Sequence, residues 1–424
     1  MSMLIGAVET LPTIIFFVAA FLLVLTVVVF VHELGHFLVA RRCGVMVSTF
    51  SIGFGREIFG FVDRHGTRWR VAWIPLGGYV KFIDDENAAS VPGKQSGTDE
   101  TSRSGTGRYT TGQMDNSASA AAEQANDQQR QLTPEEKAGR FHTKPIWKRA
   151  AVVAAGPIAN FILAIAIFAI MFMIYGQYKL SPKVQGVVPG SPAAAAGFKA
   201  GDLVRRVNGK EIDDFAELQQ IVATSPKRQL KVAVERSGDL VTLSVTPILK
   251  ERYDRIAGKH MRPEIGLQAS RDRSLVSHRD VGPLHAVQLG AERTWTIISQ
   301  TVNYINDIIW QRQRADQVGG IIRIADASGK VAQLGPEYII QFIAFLSVSI
   351  GFINLLPIPL LDGGHLMFYA VEAVRGRPLS DRTQEMSFKV GLALVISLML
   401  FATWNDRVVV KSWFQQPPAE NQSQ

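Results

Sequence analysis

LPTIIFFVAAFLLVLTVVVFVHELGHFLVARR, residues 11–42, carries two signals in one segment. Leu11 to Val31 holds no charge, and at about 1.5 Å per helical residue it is long enough to cross a hydrocarbon core of about 30 Å. The run ends in His32-Glu33-Leu34-Gly35-His36. Residues four apart share one helix face, so His32 and His36 can both turn an imidazole toward one zinc ion, with Glu33 one position along. Zinc with three protein ligands and one open position brings the pKa of a coordinated water to about 7, and a carboxylate can take its proton during attack on a carbonyl. The pattern points to metal-dependent hydrolysis, most simply of a peptide bond. HExxH alone is a weak signal, and two histidines capping a membrane helix at the interface are the plain alternative. Three ionisable side chains on one turn beside lipid are costly unless paired or bound to metal, which favours the metal.

Composition agrees with a membrane core that carries water-exposed parts. Of 424 residues 47% are hydrophobic and 19% charged, too apolar for an ordinary soluble protein and too polar for a wholly embedded one. The net charge of +8 is spread or flanks apolar runs without a basic stripe, so it speaks for membrane orientation and lipid head groups and against nucleic acid. Cys43 is the only cysteine, which excludes an internal disulfide; it reads as an unpaired thiol near a helix end, not a ligand. The N-terminus lacks a basic flank and a small-residue cleavage site, so the first run is expected to be retained. Arg41 and Arg42 follow that run at once. The positive-inside rule then puts the N-terminus outside and the HELGH end toward the cytoplasm.

The chain divides as follows. Residues 1–44 form the first transmembrane helix. Residues 45–83 turn to β-prone runs broken by glycine, a membrane-associated hairpin region with alternating side chains over Arg68 to Trp73 and a turn at Pro75-Leu76-Gly77-Gly78. A strand edge there could pair with an extended substrate. Residues 84–140 have almost nothing to bury and are expected to be a disordered cytoplasmic loop. Arg140, Lys144, Lys148 and Arg149 lead into a second transmembrane helix over 145–178. Gly156-Pro157 and Asn160 near its start suit either close packing or a polar contact at the active site. Residues 280–335 are an amphipathic and linker region, in which Trp295, Ile298, Val302, Ile305 and Ile309 mark a helical stripe. The third transmembrane segment, 337–365, ends in NLLPIPLLDGGH. Two prolines break a helix at membrane depth, tolerated where backbone lines a protein cavity. Asp362 is an acid in apolar surroundings and the natural third metal ligand beside His32 and His36. Asn354 can donate to substrate backbone or to a developing oxyanion. His365 reads as a structural hydrogen-bonding residue. A fourth helix over 386–406 and a tail over 407–424 complete the chain.

Residues 184–248 look soluble, and the phrase GSPAAAAGFKAGDLVRRVNG resembles a bacterial PDZ domain. Such a domain binds peptide termini or extended segments by adding them as a strand; the resemblance puts Gln185, Gly186, Val187 and Val188 at the peptide edge. HELGH, FSIGFG, PLGGYVKF, AGPIANFILA, the PDZ-like part and NLLPIPLLDGGH together resemble the site-2 protease family of intramembrane zinc metalloproteases, in its bacterial regulator-of-sigma-factor branch. That resemblance implies a polytopic α-helical membrane protein with about four transmembrane helices, a β-hairpin region and an inserted α+β PDZ domain. It also implies Zn2+ held by His32, His36 and Asp362, with Glu33 as base. The location implied is the bacterial inner membrane, with the N-terminus and PDZ domain periplasmic and the site toward the cytoplasm. The partners would be the lipid bilayer and single-span proteins already trimmed outside, such as anti-sigma factors, or remnant signal peptides. Two departures stand out: one PDZ-like part where some relatives carry two, and VGGIIRIADASG where the family has a GGPIGI-like stretch. A metal-ion transporter would show internal repeats and ligands spread over several helices. An inactive PDZ scaffold would have no need of two histidines and an acid in lipid.

Overall fold

In the computed structural model the described residues are 2–83, 138–254, 258–270, 272–310, 315 and 318–414. The loop expected over 84–140 lies outside them but for its last three residues. Helix α1 (Ser2–Arg42) satisfies its own backbone, the condition for an apolar segment in lipid. It stops where Gly44 takes φ +74° and the Val45 N–H returns to the Ala40 C=O. Strands β1 (Val47–Val62) and β2 (Arg68–Phe82) follow as an antiparallel hairpin. Its turn is Asp63–Thr67, where the Asp63 carboxylate accepts from the His65 and Thr67 N–H groups. Burial alone would raise the Asp63 pKa, but these bonds, Trp69 and Arg41 hold it below the usual carboxylate value.

The turn expected at Pro75-Leu76-Gly77-Gly78 is not there; these residues lie inside β2. A proline without N–H and glycines without Cβ are instead absorbed as a register shift, Ile74 facing Phe54 while Gly78 faces Ile52. The hairpin folds back on α1 through Phe37, Val47, Phe50 and Phe82, all buried, with Trp69 packed against them.

Helix α2 (Ile146–Tyr175) lies along α1. A Cβ on Gly35 would run into the Ala155 carbonyl, so the missing side chain sets how close the two axes come. Strand β3 (Gln177–Leu180) then leads into an α+β unit and pairs with β12 (Val276–Arg279), which leads out. Between them lie β4 (Val184–Val187), α3 (Pro192–Ala195), β5 (Leu203–Val207), β6 (Lys210–Glu211) and α4 (Phe215–Ala223). Then come β7 (Leu230–Arg236), β8 (Asp239–Val245), β9 (Ile248–Asp254), β10 (Gly258–Glu264) and β11 (Leu267–Ala269). One sheet has the order β6-β5-β7-β8, and β4 pairs with β11. The core of the unit is Val204, Val207, Leu218, Val232 and Val234, each at most 1% exposed. Buried Asp202 accepts two bonds from Arg236 at 2.7 and 2.8 Å; burial would raise its pKa, and these bonds turn the shift downward.

Helices α5 (Pro283–Ile309), α6 (Ile321–Leu334) and α7 (Pro336–Asn354) return to the apolar bundle. The buried face of α5 is Ala286, Leu289, Gly290, Thr294 and Ile297. Of the stripe read from the sequence, Trp295, Val302, Ile305 and Ile309 are exposed, while Ile298 packs against the cluster of Ala164, Phe168, Ile297, Ala344 and Val348. A break over 355–361 precedes α8 (Asp362–Arg375) and α9 (Asp381–Phe414). Among the described residues four helices, with windows Thr13–Arg42, Ile146–Tyr175, Pro336–Asn354 and Asp381–Arg407, are long and apolar enough to cross a membrane.

Candidate metal centre

Two elements far apart in sequence build the site. One is the last turns of α1, which place His32 and His36 on the face turned to α2. The other is the N-terminus of α8, which begins at Asp362 because Pro357 and Pro359 cannot continue α7. Leu360 adopts φ +91° in that break, a conformation that L side chains rarely take. Gly363 and Gly364 press their Cα atoms against the carbonyls of Leu355, Leu356 and Ile358, where any Cβ would collide. The break is thus folded tightly enough to bring Asp362 under the histidines.

The three donor atoms form a small triangle. His32 Nε2 and His36 Nε2 are 3.2 Å apart; Asp362 Oδ2 lies 3.2 Å from the first and 3.6 Å from the second. In a tetrahedral zinc site with ligands at about 2.0–2.2 Å, two ligand atoms stand roughly 3.3–3.6 Å apart. The spacing fits such an ion. Asp362 Oδ2 is buried without a hydrogen bond of proper geometry, which also suits a ligand atom, since a buried carboxylate oxygen is costly unless paired or coordinated. Among the described residues these three are the one group of histidine, cysteine and acidic side chains close enough to share a metal.

The surrounding contacts orient the imidazoles. His36 Nδ1 donates to the Val152 C=O at 2.8 Å, which leaves Nε2 with its lone pair toward the triangle. A Cβ on Gly156 would overlap the His36 ring, so glycine there is a condition of the ring's position. The side-chain amide of Asn160, fully buried, lies 3.2 Å from His32 Nδ1, and its Oδ1 has no other partner. With Oδ1 accepting from Nδ1–H, an amide rotation exchanging O and N, His32 too is held in the tautomer that offers Nε2. Glu33 sits against β2, where Gly78 comes so close that a Cβ would be 3.1 Å from Glu33 Cγ.

Of the residues singled out in the sequence, His32, His36 and Asp362 meet. Asn354, the last residue of α7, joins them with Nδ2 3.3 Å from His32 Nε2. His365 does not; its ring packs 5.6 Å from that of Phe388. Gln185 to Val188 belong to the separate α+β unit. There Gly186 and Val187 pair with Gln268 and Leu267, and the Val188 N–H donates to the Gly266 C=O, so β11 already occupies that edge. Among the described residues β11 pairs on one side only, with β4. Sequence reasoning missed this strand, although EIGLQ, residues 264–268, has a glycine-centred apolar pattern. It also missed Arg149, whose guanidinium makes two bonds to Glu372 at 2.6 and 3.2 Å and so ties α2 to α8.

Comparison with known proteins agrees with this chemistry. The profile of peptidase family M50 matches residues 20–398. A protein of Rhizobium meliloti, named "Putative zinc metalloprotease R01501", is 43% identical over 407 residues, covering 96% of this chain and 98% of its own length. The protein named "Metalloprotease MmpA" of Caulobacter vibrioides is 41% identical over 405 residues, covering 91% of this chain and 94% of its own. A match across nearly the whole length includes both halves of the triangle, HELGH and the Asp362 loop, and so the chain belongs to peptidase family M50, the site-2 protease family, with zinc as its cofactor.

Proposed function

We propose that this protein is an intramembrane zinc metalloprotease of the inner membrane, cutting peptide bonds within or beside the membrane helix of single-span proteins. The observation that carries this reading is the convergence of two histidines and an aspartate, with an adjacent glutamate, in a bundle whose four long helices are apolar enough to span a membrane. His32 Nε2, His36 Nε2 and Asp362 Oδ2 would hold the metal. Zinc, when bound, supplies a Lewis acid that polarises a carbonyl and acidifies water. Glu33 takes the proton of the attacking water and delivers it to the leaving nitrogen. Asn354, beside His32, donates to the substrate carbonyl as it gains negative charge. A substrate helix hides its carbonyls in its own hydrogen bonds, so it must unwind locally first; an extended stretch can then lie along the β1–β2 hairpin.

The positive-inside reading supports a periplasmic N-terminus and α+β unit, with the metal centre toward the cytoplasm. The α+β unit acts as a PDZ domain. Its peptide lies along the edge of β11 that β4 leaves open, and through it the enzyme distinguishes trimmed single-span substrates from those with bulky outer parts. The test is cleavage of a reporter with one membrane span by the full chain, compared with Glu33→Gln, with zinc content measured on both. Cleavage by the native chain alone, at equal zinc, is the expected result; equal cleavage by both removes Glu33 as the base.

A further inference from the structure

A second cavity, distinct from the metal centre, opens where α2, α5, α6 and α7 meet. Its volume is about 510 Å³, within the range of small-ligand sites. Phe168 and Phe172 of α2, Ile297 of α5, and Phe342 and Phe345 of α7 make an apolar trough. Three polar side chains sit in it: Arg293, Tyr338 and Gln341. Among the described residues Arg293 has no carboxylate within ion-pair reach, and the Tyr338 hydroxyl and Gln341 amide have no hydrogen-bond partner. All three can donate, and no acid lines the cavity.

Depth narrows the ligand. Tyr338 lies in the first turn of α7, while Phe172 and Phe168 lie about one and two turns inside the end of α2, deeper than its terminal turn. At about 1.5 Å per residue, α2 is roughly 45 Å long, more than a hydrocarbon core of about 30 Å, so its terminal turns reach head-group level. Trp295, 69% exposed on the same helix as Arg293, is a residue suited to that boundary. An extended peptide would need a free backbone edge to pair with, and the walls here are helices whose backbone bonds are closed. A phosphodiester with an acyl chain needs what the cavity has: a cation and two donors at the head-group level, above aromatic surface.

We propose that this cavity binds one phospholipid of the leaflet on the side of the α+β unit, its phosphate on Arg293, Tyr338 and Gln341 and an acyl chain along the phenylalanines. The site rests on the membrane placement proposed above. The probe is phosphatidylglycerol, titrated onto the detergent-purified full chain and followed by native mass spectrometry. A parallel sample in phosphatidylcholine nanodiscs doped with phosphatidylglycerol carries a benzoylphenylalanine at position 345 for photo-crosslinking. One retained phosphatidylglycerol per chain is expected, weakened about tenfold by Arg293→Gln and largely kept by Arg293→Lys, with a phospholipid adduct at position 345. Equal retention by Arg293→Gln, or an adduct of polypeptide in place of lipid, overturns the site alone. A chain that does not enter nanodiscs overturns the membrane placement and the site with it.

Discussion

Asn160 reaches His32 from the side of the ring opposite the metal position, and Gly156 leaves the room in which His36 turns. Both bear on proposed ligands without belonging to the triangle themselves. Outer partners of this kind are worth about 10–100-fold in metal affinity. Asn160→Leu is therefore expected to lower zinc retention by about that factor against a competing chelator, while Asn160→Asp, which keeps an acceptor for His32 Nδ1–H, retains most of it. Unchanged retention in the leucine variant would show that the His32 tautomer is set elsewhere. His32, Glu33, His36 and Asp362 were legible in the sequence because their chemistry is costly in an apolar run and has few other uses. Asn160 stood out only as a polar residue beside Gly156-Pro157. Its partner lies across a helix interface, and nothing local in either segment names the other.

Between elements, the decisive feature is the break after α7. Pro357, Pro359 and the two glycines mark it in the sequence, so the fact of the break was readable. That 337–365 is two helices with different roles, α7 ending in Asn354 and α8 starting at Asp362, follows from how tightly Gly363 and Gly364 close the loop. What then holds α8 against α2 is Arg149, bonded twice to Glu372 and stacked 4.8 Å from the Tyr369 ring. In the sequence Arg149 was one of four basic residues that orient a helix, and its charge said nothing of its partner. With side chains 12% and 15% exposed, removing one member leaves a nearly buried charge, at a cost of about 3–5 kcal/mol. Arg149→Met is expected to lower the melting temperature and to release zinc more readily, since Asp362 is carried on the same helix as Glu372. Replacing both, Arg149→Met with Glu372→Leu, should recover most of the stability. A double variant no better than the single one would mean that Arg149 matters instead through Tyr369 or through the bond its Nε donates to the Lys144 C=O at 3.1 Å.

For the molecule as a whole, the order of helices and the inserted unit could be read from apolar runs and turn chemistry, but their contacts could not. The α5 stripe shows why: four of its five residues are exposed, and the buried face runs through Ala286, Leu289, Gly290, Thr294 and Ile297, of which three are too small or polar to stand out as an apolar pattern. One contact joins the α+β unit to the bundle with particular economy. Arg228, in the loop between α4 and β7, holds Asp307 near the end of α5 at 2.6 Å, and Asp307 is buried. Arg228 belongs to the α+β unit, so a substrate that shifts this unit would pull on α5, which crosses α2 where a Cβ on Gly290 would meet the Ile165 carbonyl at 2.7 Å. If this ion pair couples the two parts, Arg228→Gln should raise cleavage of a substrate with a bulky outer domain relative to a trimmed one. Coupling of about 1 kcal/mol or more would shift the ratio at least fivefold. Trimmed-substrate cleavage itself should change little, because neither residue approaches the metal centre. The exchange Arg228→Asp with Asp307→Arg tests the same pair from the other direction: it should return the ratio toward that of the native chain. A ratio that stays constant through all these variants would mean that the α+β unit selects substrates by its position alone.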